Sequence, residues 1–518
     1  SGQFSLFHKD CRNFHNPFSG NYSIFLIVSW LRFKSTKLIF TRFTPPILTI
    51  PARICAHSLL TAKIVFFGEI HKPCSYIRLE KCATDAIIRL EKCCASLFIR
   101  LEKCNFAEQK QIVMLKRKIE TYLSVWKQSE DRKPLVIKGV RQCGKTYIVK
   151  KFASENYDEV VYMNFILEPD KKSAFTGNLD VETIILNLSA LIPGSRFVSG
   201  KTCIILDEIQ ECKEARTALK SFQIDGRFDV IATGSLLGVK GYGRHEKNNK
   251  EAEGEDSVPV GYETIIEMYP LDFEEFLWAN GVGDKVIDTV KSCFENESVV
   301  SDGIHKAMMD LLYRYIIVGG LPEVVNCFLE TKNIELIYNK QKTLIAEYEE
   351  DMVKYADDSD KPHIRECFES IPKQLAKENK KFQYSVVKKG GRASQYMGSI
   401  QWLEDAGIVE RCYNTTITEL PLSGNAIKDC FKVYITDIGI LMGMLDYGTQ
   451  ADILKGNLLG YKGAIFENLM ADFLCKSGQK LYYIQKESGL EIDFLVRYKG
   501  ECVLLEVKAK SGKTKSVV

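Results

Sequence analysis

From Leu115 to Trp126 the apolar and polar positions repeat as in an amphipathic helix, and the chain then enters a series of short apolar runs. These are Pro134–Lys138, Val160–Asn164, Thr202–Leu206, Phe228–Ala232 and Thr264–Met268. The run at 202–206 reads as a strand buried on both faces, and helical stretches alternate with the runs, which predicts a parallel sheet covered on both sides. Beyond it, helices at about Lys306–Val318 and Asn333–Tyr355 predict an all-helical connector. Ile364–Leu375, Ser385–Lys389 and Ala393–Asp405 predict three short helices, followed by Gly407–Tyr413 and Phe431–Ile435 as the strands of a hairpin. An apolar helix at Ala464–Leu474 and two strands close the chain, one carrying Asp493 and the next ending at Glu506-Val507-Lys508.

Residues 1–104 break this regularity. Their apolar clusters keep no period and are interrupted by Pro45, Pro46, Pro51 and Pro73, and the hexamer Ile-Arg-Leu-Glu-Lys-Cys recurs at 77–82, 88–93 and 99–104. An 11-residue period suits a short helical repeat. Identical hexamers with unrelated spacers favour a second reading, an over-extended reading frame with the functional protein beginning near Met114.

At 518 residues the chain should hold two to four domains. The net charge of +3 conceals an asymmetry: residues 1–104 carry 15 Lys and Arg against 6 Asp and Glu, and the remainder 55 against 61. Bulk charge therefore does not mark the main part as a nucleic-acid binder, and any such contact must be a local patch. Seventeen cysteines form no C-x-x-C pair and seven histidines are scattered, which removes zinc-ligand spacing. Single cysteines in apolar runs suit a reducing compartment, and the longest apolar run, near Ile24–Val28, falls short of the ~20 residues of a membrane span. The expectation is a cytoplasmic protein with no membrane partner.

The chemistry is concentrated after the first apolar run. Gly139-Val-Arg-Gln-Cys-Gly-Lys-Thr146 fits G-x-x-x-x-G-K-[ST] between a strand and a helix. Its glycines let the backbone curl until successive N–H groups, those of Arg141 and Gln142 among them, face phosphate oxygens. Gly144 opens the helix, whose N-terminus favours an anion. Lys145 would reach the β- and γ-phosphates of ATP, and Thr146 would place a hydroxyl on Mg²⁺. The buried strand at 202–206 ends in Asp207 and Glu208, at the carboxyl edge where open α/β sheets bind ligands, so Asp207 would hold the metal and Glu208 would polarise a water. The next strand delivers Thr233 and Ser235, either as γ-phosphate sensors or as an ordinary turn.

Two further sites are candidates. Lys373, Lys377, Lys380, Lys381, Lys388, Lys389 and Arg392 meet few acids, so the helices there either grip phosphates of DNA or present a solvated face to a protein. Glu467, Asp493, Glu506 and Lys508 give D-x₁₂-E-x-K with a helical glutamate, in which two carboxylates would share Mg²⁺ and the lysine would orient water, or the same groups form a structural ion pair.

The phosphate loop, Leu206-Asp-Glu-Ile-Gln210, Thr233-Gly-Ser235, Met268-Tyr-Pro-Leu-Asp-Phe-Glu-Glu-Phe-Leu277 and Val318-Gly-Gly-Leu-Pro-Glu-Val324 together resemble prokaryotic AAA-type ATPases whose C-terminal half is a domain of unknown function. The resemblance covers about Lys116 to Lys515. It implies an AAA-type P-loop NTPase domain over 113–280, a helical lid and connector over 281–362, a winged helix over 363–445 and a PD-(D/E)xK, restriction-endonuclease-like α/β domain over 446–518, with 1–112 outside any domain. Relatives continue through another strand and helix, so the last domain is expected to be truncated. Relatives also carry a basic residue where this chain has Tyr262 after Pro259-Val-Gly, which implies slow hydrolysis unless Arg141 or Arg244 supplies the charge. The implied function is a nucleotide-driven switch that controls a DNA- or protein-interacting module, or acts through a homo-oligomer. The alternatives are a nucleotide-gated binding module with little turnover and an ATP-licensed metal-dependent nuclease.

Overall fold

A computed structural model describes residues 114–235, 261–356, 359–455, 461–486 and 489–508. The expectations for residues 1–112, for the insertion that holds Arg244 and for the chain after Lys508 lie outside the described residues. Strands β1 (Leu135–Lys138), β2 (Glu159–Asn164), β3 (Thr202–Asp207), β4 (Asp229–Gly234) and β5 (Thr264–Glu267) form one sheet in the order β2-β3-β4-β1-β5, all parallel. Side chains alternate across it. Val136, Ile204 and Leu206 join a layer with Ile184, Leu188, Leu219 and Phe222 from the helices Val181–Leu191 and Lys213–Asp225. Leu135, Ile137, Cys203, Ile205 and Ile231 face the opposite layer, with Leu123 from the helix Ile119–Gln128 and Ile148, Val149 and Phe152 from Lys145–Asn156. The parallel register sets Asn164 beside Asp207 and Lys138 beside Gly234, so the polar ends of four strands meet along one edge.

The first helix starts at Ile119, later than the periodicity from Leu115 predicts. Arg117 lies outside the helix, pairing with Glu275 at 3.2 Å, and Lys118 flanks its start with helical φ and ψ, its N–H donating to Glu275 Oε1 at 2.6 Å. Beyond the sheet, helices Asp284–Glu295, Asp302–Val318, Pro322–Thr331 and Ile334–Tyr355 make up the connector. Three helices, Lys361–Leu375, Tyr384–Val387 and Ala393–Asp405, precede the hairpin β6 (Val409–Thr415) and β7 (Ala426–Ile435), in the predicted order. The hairpin does not stand alone. β6 pairs in parallel with β8 (Tyr482–Gln485), and β9 (Glu491–Tyr498) and β10 (Glu501–Leu505) extend the same sheet in the order β10-β9-β8-β6-β7. The boundary expected at 445/446 thus runs through a single sheet, because the hairpin's open edge is satisfied by backbone from the last segment.

A buried polar knot ties the connector to the first sheet and to the C-terminal helix Lys462–Lys476. Lys476 Nζ forms an ion pair with Asp472 Oδ1 at 2.7 Å and donates to Asp437 Oδ2 at 3.2 Å, the Tyr315 hydroxyl at 2.9 Å and the Leu271 carbonyl at 3.1 Å. Asp437 in turn accepts the N–H groups of Gly320 and Gly439 at 2.7 and 3.0 Å. This explains the Val318-Gly-Gly-Leu motif. Gly319 has φ 75°, and a Cβ there would lie 2.3 Å from Asp437 Oδ1. Burial pushes the Asp472 carboxyl up to about 7 against the pull of Lys476. Removing the one cation from two buried carboxylates is expected to be severe: Lys476→Met should lower unfolding stability by about 3–5 kcal/mol in a urea titration. A loss under about 1 kcal/mol would show that the knot does not hold these elements together.

Candidate functional site

The phosphate loop is built against a backbone wall. A Cβ on Gly139 would lie 2.1 Å from the Met268 carbonyl oxygen, so the loop's first turn is open only to glycine. Gly144, at φ 98°, caps the helix that begins with Lys145. Arg117 is buried against the loop, donating to the carbonyls of Cys143 at 2.9 Å and Tyr269 at 2.6 Å. Lys145 Nζ donates to the carbonyls of Gly139 and Val140, both at 2.9 Å.

The acidic strand end meets the loop as expected. Thr146 Oγ1 lies 3.1 Å from both oxygens of Asp207. The same carboxylate accepts from Thr233 Oγ1, from the Tyr162 hydroxyl at 2.8 Å and from Asn164 Nδ2 at 3.0 Å. Glu208 has φ 55° and ψ 47°, a left-handed conformation that a non-glycine residue keeps only where its surroundings enforce it. Its Oε2 accepts from Gln210 Nε2 at 2.5 Å and from Ser235 Oγ at 3.3 Å. The structure therefore brings Gly139, Gly144, Lys145, Thr146, Asp207, Glu208, Thr233 and Ser235 to one strand edge.

Arg141 and Gln142 sit at the loop tip with partners that sequence reasoning did not supply. Arg141 pairs with Asp351 at 2.6 Å and donates to the Tyr355 hydroxyl at 3.1 Å, and Gln142 bonds Glu347. Asn164 and Tyr162 also went unread, although an apolar run ending in Asn beside a run ending in Asp is a legible signal. Arg117, 22 residues before the loop's first glycine, left none.

The expectation attached to Tyr262 is corrected by geometry. Tyr262 precedes β5, where Lys133 Nζ donates to the Gly261 carbonyl and the Thr264 N–H to the Pro134 carbonyl. That is the amino-terminal edge of the sheet, roughly 15 Å of strand away from the loop, so a side chain there does not bear on a phosphate at Lys145.

A carboxylate and a metal ion test differently at the two candidate sites. At the loop, a hydroxyl and a carboxylate meeting beside an ammonium fit Mg²⁺, a hard cation that takes one or two protein oxygens together with phosphates and water. In the C-terminal segment, Glu467 accepts from Lys432 at 3.1 Å, from the Tyr434 hydroxyl at 2.5 Å and from Lys380. Lys432 is fully buried and also pairs with Glu491 at 2.9 Å. Asp493 accepts the Val507 N–H at 2.7 Å, and Glu506 pairs with Lys508. Among the described residues no group of three or more His, Cys, Asp or Glu is arranged to hold a metal. Two lysines occupy the surroundings of Glu467, the helical member of the candidate set. The basic surface also loses Lys380, while Lys373, Lys377, Lys388, Lys389 and Arg392 remain exposed.

Residues 131–277 match the family model described as AAA domain, residues 309–451 the domain of unknown function DUF8612 and residues 462–518 the domain of unknown function DUF4143. No curated protein matches. Among solved structures, a Walker-type ATPase of Pyrococcus abyssi is 13% identical at a TM-score of 0.38, covering 64% of this chain and 96% of that one. AMPPCP-bound DnaA from Aquifex aeolicus is 15% identical at 0.24, covering 55% and 86%. The Aeropyrum pernix Orc1 protein in complex with DNA is 12% identical at 0.24, covering 68% and 95%. Overlaps of this size identify neither substrate nor partner. The AAA-domain match and the loop geometry together support an ATP-binding AAA-type ATPase that carries further domains of unknown function. No helix among the described residues is long and apolar enough to cross a membrane.

The C-terminal cluster makes a pH prediction. Burial pushes the Asp493 carboxyl up to about 6, helped by the charges of Glu467 and Glu506 and opposed by the Val507 N–H and Lys432. A carboxyl raised above its unfolded value costs stability as pH climbs from about 4 to about 6, and the cost stays constant above that. Asp493→Asn should therefore gain on the wild type by on the order of 1–2 kcal/mol between pH 4 and pH 7, measured by urea unfolding at each pH. A difference that does not change with pH would contradict the burial of a charge there.

Proposed function

We propose that this chain is an ATP hydrolase acting as a nucleotide-driven switch, with the C-terminal half as its output. The observation that carries the reading is the Thr146 hydroxyl lying against both oxygens of Asp207, beside a loop whose glycine, lysine and helix N-terminus suit a polyphosphate. In this reading the loop N–H groups from Gly139 to Thr146 bind phosphate oxygens, and Lys145 leaves the Gly139 and Val140 carbonyls for the β- and γ-phosphates. Thr146 and Asp207 would hold Mg²⁺, whose positive charge draws electron density from the phosphate oxygens. Asn164 and Tyr162 keep the Asp207 carboxylate oriented. Glu208 orients and deprotonates the attacking water, with Ser235 fixing its rotamer, while Thr233 links the metal-side carboxylate to the neighbouring strand.

The output is read as a contact with DNA or protein. The exposed cations Lys373, Lys377, Lys388, Lys389 and Arg392 favour a polyanion over a neutral partner. The winged-helix reading rests on the order of helices and hairpin, and the nuclease-like reading on D-x₁₂-E-x-K; the two lysines at Glu467 favour a binding role for that segment over cleavage.

Lys145→Ala should weaken ATP binding, because no backbone N–H replaces its charge. Glu208→Gln should leave binding intact and lower turnover by roughly 10²-fold or more, as expected for a lost general base. Calorimetry and phosphate release, the latter with and without duplex DNA, check both. Unchanged affinity in the lysine variant would overturn the assignment of the loop.

A further inference from the structure

The 22-residue helix Ile334–Tyr355 ends on the phosphate loop. Glu347, Asp351 and Tyr355 recur every four residues and Tyr348 lies three before Asp351, so they line one side of the helix, and all four meet the loop tip. The Tyr348 hydroxyl donates to the Arg141 carbonyl at 3.1 Å, Asp351 Oδ1 lies 2.6 Å from Arg141 Nη1, the Tyr355 hydroxyl accepts from Arg141 Nη2 at 3.1 Å, and Glu347 bonds Gln142. The Arg141 guanidinium also lies 5.4 Å from the Tyr355 ring. Tyr348 is buried and the Asp351 side chain is 10% exposed, so this is a packed contact.

We propose that Asp351 is a specificity-determining residue of the nucleotide site: it holds Arg141 against the helix until the γ-phosphate of a nucleoside triphosphate competes for the guanidinium. The proposal rests on the reading that the loop binds ATP, and it adds which loop residue senses the third phosphate and what restrains it.

Three observations lead there. The first is capacity. A guanidinium offers five donors, Asp351 and Tyr355 engage two of its nitrogens, and the third, Arg141 Nε, is buried with no hydrogen-bond partner. It can take a second anion. The second is location. Asp351 meets Arg141 in the same turn whose Gly139 and Val140 carbonyls hold the Lys145 ammonium assigned to the β- and γ-phosphates, so the pair stands in the loop that would wrap the phosphate tail. The third is incompatibility. A γ-phosphate arriving beside the carboxylates of Asp351, Glu347 and Glu208 is repelled unless Arg141 turns toward it, so the triphosphate and the ion pair compete for one cation. A diphosphate ends short of this position and leaves the pair in place. The helix is also held farther back: Gln341 Nε2, 14 residues before Tyr355, donates to the Ile317 carbonyl at 2.8 Å, beside the Val318-Gly-Gly turn of the buried knot. Release at Arg141 would therefore loosen the last turns of the helix while the stretch around Gln341 stays held.

The test measures affinities of the full chain for a non-hydrolysable ATP analogue and for ADP, each with Mg²⁺. Asp351→Asn should bind the triphosphate analogue at least fivefold more tightly than wild type, with ADP unchanged within twofold, and Arg141→Gln added to it should remove that gain. Should Asp351→Asn fail to fold, Tyr355→Phe removes the other acceptor of Arg141 and should move the ratio in the same direction by a smaller factor. The proposal is overturned if the triphosphate-to-diphosphate ratio stays at the wild-type value in both single variants, or falls. If the wild type binds neither nucleotide, or Lys145→Ala binds as well as wild type, the loop assignment itself fails and the restraint with it. Binding by wild type, loss in Lys145→Ala and an unmoved ratio in both single variants overturn the restraint alone.

Discussion

The close approach of the Met268 carbonyl to Gly139 decides where the rest of the molecule can go. With 2.1 Å between that oxygen and the place of a Cβ, the phosphate loop and the segment Met268–Glu275 are seated against each other without a side chain between them. From that seat the segment reaches both ways. Its Tyr269 carbonyl accepts from Arg117, which also holds the Cys143 carbonyl of the loop, and its Leu271 backbone pairs with Gly320 and accepts from Lys476. Asp272 and Glu274 take Lys118, and the helix that follows is capped by Asp272 itself. Eight residues thus join the nucleotide site to the buried knot of Asp437, Asp472 and Lys476. A loop held by backbone contacts on one side and by the Asp351 helix on the other has few ways to move without moving its neighbours.

The parts of this arrangement that were legible in the sequence are those set by local chemistry. A glycine-rich turn between a strand and a helix needs no tertiary information, and a buried run ending in Asp207-Glu208 announces a strand edge. All five strands of the first sheet follow from apolar runs, and helices separate the first four. What escaped was set by side chains far apart in sequence. Asp351 reads as one acid among several in Glu347–Asp351, and only the packing of its helix selects it as the partner of Arg141. Tyr262 shows the reverse error. Its position in a motif suggested the phosphate, whereas the direction of β5 places it at the opposite edge.

In the C-terminal half the spacing leaves out a cation that the fold supplies. D-x₁₂-E-x-K brings Asp493 and Glu506 to neighbouring strands, as expected, but the pattern says nothing of Lys432 on β7, which enters from a hairpin assigned to a different domain. Burial pulls Lys432 toward neutrality, yet Glu467 and Glu491 hold it charged, and Lys432, Lys380 and the Tyr434 hydroxyl keep Glu467 ionised despite its burial. This internal ammonium compensates the buried charge of Glu467 and pairs with Glu491. The same hairpin joins β8, so the sheet that would carry a nuclease core is completed by strands from both segments.

A nucleotide at the loop should be felt along the helix Ile334–Tyr355. Hydrogen–deuterium exchange of the full chain, with and without a non-hydrolysable ATP analogue and Mg²⁺, tests it most directly. Slower exchange over 139–146 together with altered exchange over the last three turns of that helix is the result predicted. Slower exchange confined to the loop, with the helix unchanged, would contradict the claim.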